Sequence, residues 1–209
     1  MTETEDFDTQ TTKEKIFTAA VRLFAERGFH GTSIRELARE VGIKESSVYN
    51  HFPGKNAIMQ AILDYHRQGF QTASEELTKS DLPFDDTTDP VEFWMMGAAE
   101  FLKHQPPLSQ QISIILTNEM YLNKQCRKFF LDTMFDIQKV LTENILREMY
   151  SRGMIIDCDF RKTAEQYVYF IQGISIETNL MLMDGKNEAE RQQHLFEHIA
   201  LFIGRLKKQ

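Results

Sequence analysis

This chain has few residues of the kinds that carry chemistry on their own. Its 209 residues include two cysteines, one tryptophan and five prolines. Cys126 and Cys158 are neither close in sequence nor in a metal-binding or redox spacing. Both are expected to be reduced and structural in a cytoplasm, with a redox switch as the alternative. No GxSxG, P-loop, Rossmann glycine pattern or CxxC occurs, so enzymatic readings find little support and no cofactor is expected. No apolar run approaches the ~18 residues of a membrane span, and the acidic start is the opposite of a signal peptide's basic one. Alternating strand patterns, internal repeats and low-complexity tracts are missing as well. What remains is an all-α chain rich in 16 Phe and 10 Met. Phe supplies apolar area, and Met fills irregular space.

The formal net charge is −7, unpromising for a nucleic-acid partner until it is divided along the chain. Residues 10–56 hold eight Lys or Arg against five Glu, whereas residues 1–9 hold four acids and no base. Positive charge therefore gathers in one segment, which orients that segment towards DNA. The acidic stretch 1–9 is too short and too polar to pack.

Within the basic segment, Ile34 to Pro53 has the spacing of a helix-turn-helix. Ile34, Leu37, Ala38 and Val41 give a short helix one apolar face, and Gly42 permits the left-handed conformation that ends it. A second short helix follows, held inward by Val48 and Phe52. It presents Ser46, Ser47, Tyr49, Asn50 and His51 rather than the Glu and Lys of an ordinary solvated face. Hydroxyls and amides hydrogen-bond to base edges and phosphates. A core helical hairpin with wet polar residues is the competing interpretation of the Ala38, Gly42 and Val48 spacing. The flanks weigh against it. Upstream, Thr12 to Arg27 forms an amphipathic helix with Ile16, Ala19, Ala20, Leu23 and Phe24 on one face. Thr32 and Ser33 offer N-cap hydroxyls, Ser33 with Glu36 in capping-box spacing. Downstream, Pro53-Gly54-Lys55 turns into another helix.

Over about Thr12 to Ile62, including AAVRLFAERGFHGTSIRELAREVGIKESSVYNHFPGKNAI, the chain resembles the TetR family of one-component transcriptional regulators. The resemblance implies a three-helix DNA-binding head at residues 10–56, then a helical effector-binding and dimerisation domain at 57–209. It implies that the third helix enters the major groove, where Ser46, Ser47, Tyr49 and Asn50 would contact bases or adjacent phosphates, with Lys44 at the helix entry. Thr32, Ser33, Arg35, His51 and Lys55 would clamp phosphates. Many relatives carry a small hydroxyl residue at the position of Lys44 and a basic or small one at that of Glu45. The departure leaves DNA binding intact but puts the target sequence out of reach, because an acid there must point away or accept from a cytosine amine.

Beyond the head, one long helix is expected from Lys55 to about Lys79, then a linker at Ser80 to Asp89. Asp89, Pro90 and Glu92 open the next helix, which breaks at Pro106-Pro107. A short helix precedes a long one over Lys124 to Arg152. Another runs from Asp159 to Met183, and Asn187 with Glu190 opens the last. Trp94, Phe101, Met120, Tyr121, Phe130, Met134 and Tyr167 are candidate walls of an effector pocket, though each fits plain core. Glu177 and Asn179, near Tyr169 and Gln172, fit polar anchors or ordinary helix positions. His194 and His198 with Glu190 have i, i+4 spacing, but a solvated or interface face suits them better than a metal. Tyr167, Ile174, Leu195, Ile199 and Phe202 lie on stripes of the last two helices, with Ile203, Phe196 and Phe170 widening the arcs. That width suits a four-helix dimer contact, which the resemblance also implies. A two-fold dimer on a palindromic duplex places its recognition helices ~34–36 Å apart. The expected function is a cytoplasmic homodimeric repressor released by an unidentified small, largely apolar molecule. The rivals are a helical ligand carrier or enzyme with an idle head, and a DNA-binding dimer without effector.

Overall fold

The computed structural model describes residues 10–79, 88–185 and 188–208. The acidic stretch 1–9, most of the expected linker and Asn187, expected to open the last helix, lie outside the described residues. Those described are helical almost throughout. The chain divides into two compact units, residues 1–68 with 106–128 and residues 69–105 with 129–209.

The first unit begins with α1 (Thr12–Arg27), capped by Thr11 and Glu14 in a capping box. Its inner face is the expected one: Ile16, Ala19, Ala20, Leu23 and Phe24 are all buried. Gly28 then takes φ +75° and ends the helix. The helix α2 (Ile34–Val41) starts at a Ser33–Glu36 capping box and ends at Gly42 in the left-handed region, φ 74° and ψ 32°. α3 (Glu45–His51) is held by Val48, which is fully buried, and by Phe52 just beyond its end. α4 (Lys55–Lys79) begins here, with Ile58, Met59, Ile62 and Leu63 buried. α6 (Ser109–Glu119) and the start of α7 (Lys124–Phe129) belong to this unit too, α6 packing against α1 through the buried Ile112, Ile115 and Leu116. The compact unit is thus larger than the three helices over residues 10–56, since their core is completed by segments distant in sequence.

The second unit contains the rest of α4, α5 (Pro90–Lys103), α8 (Gln138–Ser151), α9 (Phe160–Met183) and α10 (Glu188–Gly204). Asp89 caps α5 with Pro90 at its first position, as expected. Trp94, Leu146, Met149, Ala164, Ile199 and Ile203 are buried in one cluster, with α8 packed on α9 and α10 on α5 and α9. The expected single helix over Lys124 to Arg152 is interrupted: residues Phe130–Ile137 form a π-helical segment between α7 and α8. Its wider register displaces backbone groups from their α-helical partners. The Gln172 side chain from α9 donates to the Met134 carbonyl at 3.0 Å. No described helix is long and apolar enough to cross a membrane.

Candidate nucleic-acid interface

α3 is short enough that its two faces are easily told apart. Val48 points inward, while Lys44, Glu45, Ser46, Tyr49, Asn50 and His51 are exposed and Ser47 is half-buried. Tyr49 keeps about half its surface open, 52%. An exposed aromatic beside an amide and hydroxyls, on a helix pinned by a buried valine, offers stacking area and directional donors together. Arg35 projects from α2 into solvent near the same edge. An open depression of about 410 Å³ runs along this face, lined among others by His30, Ser33, Arg35, Glu45, Tyr49 and Lys55. His30 and Glu45 were not among the expected contacts. His30 lies in a turn, where no periodicity marks a face.

The candidate phosphate clamps divide. Arg35 and His51 are exposed and free to reach a polyanion. The Ser33 hydroxyl accepts from the Glu36 backbone N–H at 3.2 Å and donates to the Glu36 carboxylate at 2.8 Å. It is exposed, but its proton is committed to the cap. Glu36, bonded first by the Ser33 backbone and then by its hydroxyl, is held below the usual carboxylate range. Thr32 does not fit a phosphate contact. Only 1% of it is exposed, and its hydroxyl donates to the Gly28 and Leu23 carbonyls at 3.1 and 3.3 Å. Lys55 also departs from expectation. Its ammonium donates to the Phe29 and Thr32 carbonyls at 2.6 and 2.7 Å and lies 4.5 Å from the centre of the Phe29 ring. Two of its three N–H donors are therefore spent inside the head.

The candidate pocket walls are not one group. Trp94 and Tyr167 meet, the indole N–H donating to the phenol oxygen at 2.8 Å with ring centres 4.9 Å apart. Burial pushes the Tyr167 hydroxyl up to about 12. Phe101 packs on Phe70, and Phe130 on Phe135. Met134 is half-buried on the π-helical segment. Met120 and Tyr121 belong to the first unit instead. Tyr121 is 78% exposed in the turn after α6, so it is no interior wall.

The dimer candidates divide too. Ile174 and Ile199 are buried within the protomer, 7% and 2% exposed, and Tyr167 is committed to Trp94. Phe202 stacks on Phe170 at 5.8 Å and meets Tyr167 at 5.4 Å, while Leu195 packs against the same cluster. Tyr167, Leu195 and Phe202 are partly buried against the protomer's core and keep some surface open. The large apolar residues left open on α9 and α10 are Tyr169, Leu180, Met183 and Leu201, each more than half exposed. Gln172 and Asn179 are buried on α9, whereas Glu177 is exposed. His194 bonds to Glu177 at 3.1 Å, and its ring stands 4.7 Å from that of His198. Among the described residues no three His, Cys, Asp or Glu are grouped as metal ligands.

Residues 16–62 match the profile described as bacterial regulatory proteins, tetR family. The chain is 41% identical over 54 residues to the uncharacterized HTH-type transcriptional regulator YerO of Bacillus subtilis (strain 168), covering 26% of this chain and 19% of that one. To the probable HTH-type transcriptional regulator YttP of the same organism it is 25% identical over 147 residues, 70% of this chain and 64% of YttP. Both alignments cover less than two thirds of the relative's length. A putative transcriptional regulator from Saccharomonospora viridis, solved in complex with choline, has the same fold: TM-score 0.65 at 21% identity, over 94% of this chain and 98% of that one. Residues 16–62 are thus a DNA-binding head of the tetR family of bacterial regulatory proteins, and the chain shares the all-α fold of the Saccharomonospora viridis protein over 94% of its length.

Proposed function

We propose that this protein is a homodimeric transcriptional regulator, a repressor that binds a palindromic duplex and is released by a small, largely apolar molecule held in the second unit. One observation carries the DNA-binding part. α3 offers bases Ser46, Tyr49 and Asn50 with Lys44 at its entry, while Val48 fixes the helix from behind. Arg35 and His51 flank that face as phosphate contacts, and His30 joins them in the depression. Hydroxyl and amide groups read base edges, and cations set register. Support for an effector comes from the regulator of like fold that was solved with choline. It comes also from the aromatic cluster of Trp94, Tyr167, Phe170 and Phe202, which supplies apolar contact area. For the dimer, support lies in the open apolar stripe of Tyr169, Leu180 and Met183 on α9 with Leu201 on α10. A dimer through that stripe would place two α3 helices on one duplex, half-sites a turn of ~34–36 Å apart.

The test is to recover duplexes from a random-sequence pool with the full-length protein and measure their binding against salt. A palindromic consensus is expected, with log affinity falling linearly in log salt at about 0.9 per phosphate contact. Retention of no duplex above background, or of all duplexes alike, would reject sequence-specific regulation.

A further inference from the structure

Glu119 is the last residue of α6 and only 4% exposed. A carboxylate is costly in that place, both because burial disfavours its charge and because a helix C-terminus is already negative. One of its oxygens, Oε1, accepts the backbone N–H of Phe29 at 2.8 Å. The other, Oε2, has no hydrogen-bond partner among the described residues. The neighbouring Cys126 registers the charge: burial, then Glu119, push its thiol up to about 12. Satisfying one amide would need only a neutral acceptor, so the charge calls for an account of its own.

The partner of that amide supplies one. Phe29 also offers its carbonyl to the ammonium of Lys55, which reaches on to the Thr32 carbonyl. The α1–α2 turn is thus gripped by an anion from α6 at one end of Phe29 and a cation from α4 at the other. Bonds of this kind are shorter and about twice as strong as neutral ones. The turn has little room to yield. A Cβ on Gly28 would stand 3.4 Å from Glu119 Oε1, and one on Gly31 would stand 2.2 Å from the Arg27 carbonyl oxygen. Thr32 is followed at once by Ser33, the N-cap of α2. All of these residues lie within the first compact unit.

We propose that Glu119 is a positioning residue for DNA reading: acting through Phe29 and Lys55, it fixes the turn from which α2 and α3 depart. The proposal rests on the DNA-binding function argued above. Glu119 is buried away from the duplex, and Lys55 has two of its three donors engaged within the turn. Losing Glu119 displaces the reading helices without removing a phosphate contact, and losing Lys55 releases the same turn from its other end.

The experiment uses the full-length protein and the tightest duplex that the wild type recovers from the pool. Affinity is measured across a salt series, below each variant's thermal transition. Glu119→Leu and Lys55→Met are each expected to weaken binding about tenfold or more, the scale of one charge-assisted hydrogen bond, with the salt slope unchanged. Glu119→Gln, which keeps an acceptor for Phe29 but not the charge, recovers only part of that loss. The double variant falls about as far as either single one, because both act through the same turn. Wild-type affinity in folded Glu119→Leu overturns the proposal, as does an additive double variant. So does a slope lowered by about 0.9 in Lys55→Met, which would make Lys55 a phosphate contact. If Glu119→Leu does not fold, Lys55→Met decides alone: a tenfold loss at constant slope supports the proposal, and unchanged affinity overturns it. A wild type that retains no duplex rejects the DNA-binding function itself, a failure distinct from that of the variants.

Discussion

Replacing Leu180 by Glu tests the proposed dimer at a place where the protomer itself has little to lose. Leu180 is 55% exposed on α9, in line with Tyr169 at 53% and Met183 at 62%. Positions 169, 173, 176 and 180 follow one another by four, three and four residues and so share a helix face. Between them Gly173 is exposed, and a Cβ placed there would meet nothing within 4 Å. Burying a large apolar side chain outright is worth about 1.5–3 kcal/mol, so a half-open leucine has about 1 kcal/mol left to gain. A two-fold axis doubles this to about 2 kcal/mol per dimer. Leu180→Glu forfeits that gain and carries two carboxylates into the contact, each costing several kcal/mol if unpaired. The sum exceeds ~4 kcal/mol, or about 1000-fold in the dimer dissociation constant.

Light scattering or sedimentation at micromolar concentration is then expected to report monomers. Thermal unfolding by circular dichroism should move little, since exposed positions of this kind usually change stability by under ~0.5 kcal/mol. Binding to a palindromic duplex should weaken as well, because each head alone holds one half-site. Phe202→Glu is the contrast: with Phe202 stacked between Phe170 and Tyr167, it should unfold the protomer rather than merely part the dimer. A Leu180→Glu protein that stays dimeric and binds the palindrome normally would refute the assignment of this face.

Arg35→Ala should lower the salt slope of DNA binding by about 0.9 on every duplex, whereas Asn50→Ala should relax preference at particular base pairs with the slope retained; competition with single-substituted duplexes separates the two. Burial lowers the pKa of His66 from 6.5 to about 4, so the unfolded chain binds a proton that the folded one refuses. The stability held by the neutral ring is complete above pH 6.5 and is lost as pH falls towards 4, about 2 kcal/mol by pH 5. Urea titrations at pH 7.5 and 5 should show His66→Leu losing less than the wild type by that amount, and equal losses would deny the burial effect. Gln172→Leu should strand the Met134 carbonyl at a cost of about 1–3 kcal/mol in thermal unfolding, whereas an unchanged midpoint would show that the π-helical segment does not depend on that bond.

The reading helices were legible because their signals are local. Ser33 and Glu36 form a reciprocal cap across three residues, Gly42 takes the left-handed conformation, and Val48 is the one apolar side chain inside α3. Each needs only near neighbours in the chain. Thr32 and Lys55 went astray for the opposite reason. A threonine before an N-cap and a lysine after a turn look solvated in sequence, but here the turn is closed by Glu119, 90 residues beyond Phe29. The π-helical segment has the same character. FLDTMFDI has ordinary helical composition, and the bond that meets its Met134 carbonyl comes from Gln172, 38 residues on.

On the last two helices both apolar arcs were legible in the sequence, but the division of each between the protomer's core and its open surface was not. Successive helix positions differ by about 100°, so a stripe assigned one residue off exchanges core for surface. On α10 Ile199 and Ile203 are buried while Leu201, between them, is 61% exposed. On α9 the Tyr167 hydroxyl oxygen accepts the Trp94 indole N–H, and Tyr169, two residues on, donates to Glu165 at the surface. The strongest periodic stripes serve the protomer's own core, which needs apolar contact along the whole helix. The surplus apolar residues are scattered among Gln166, Glu177 and Glu197 on faces that otherwise read as solvated. Periodicity detects the first kind of face and dilutes the second. An assembly surface in this chain is therefore better sought in large apolar residues that break a polar face than in those that extend an apolar one.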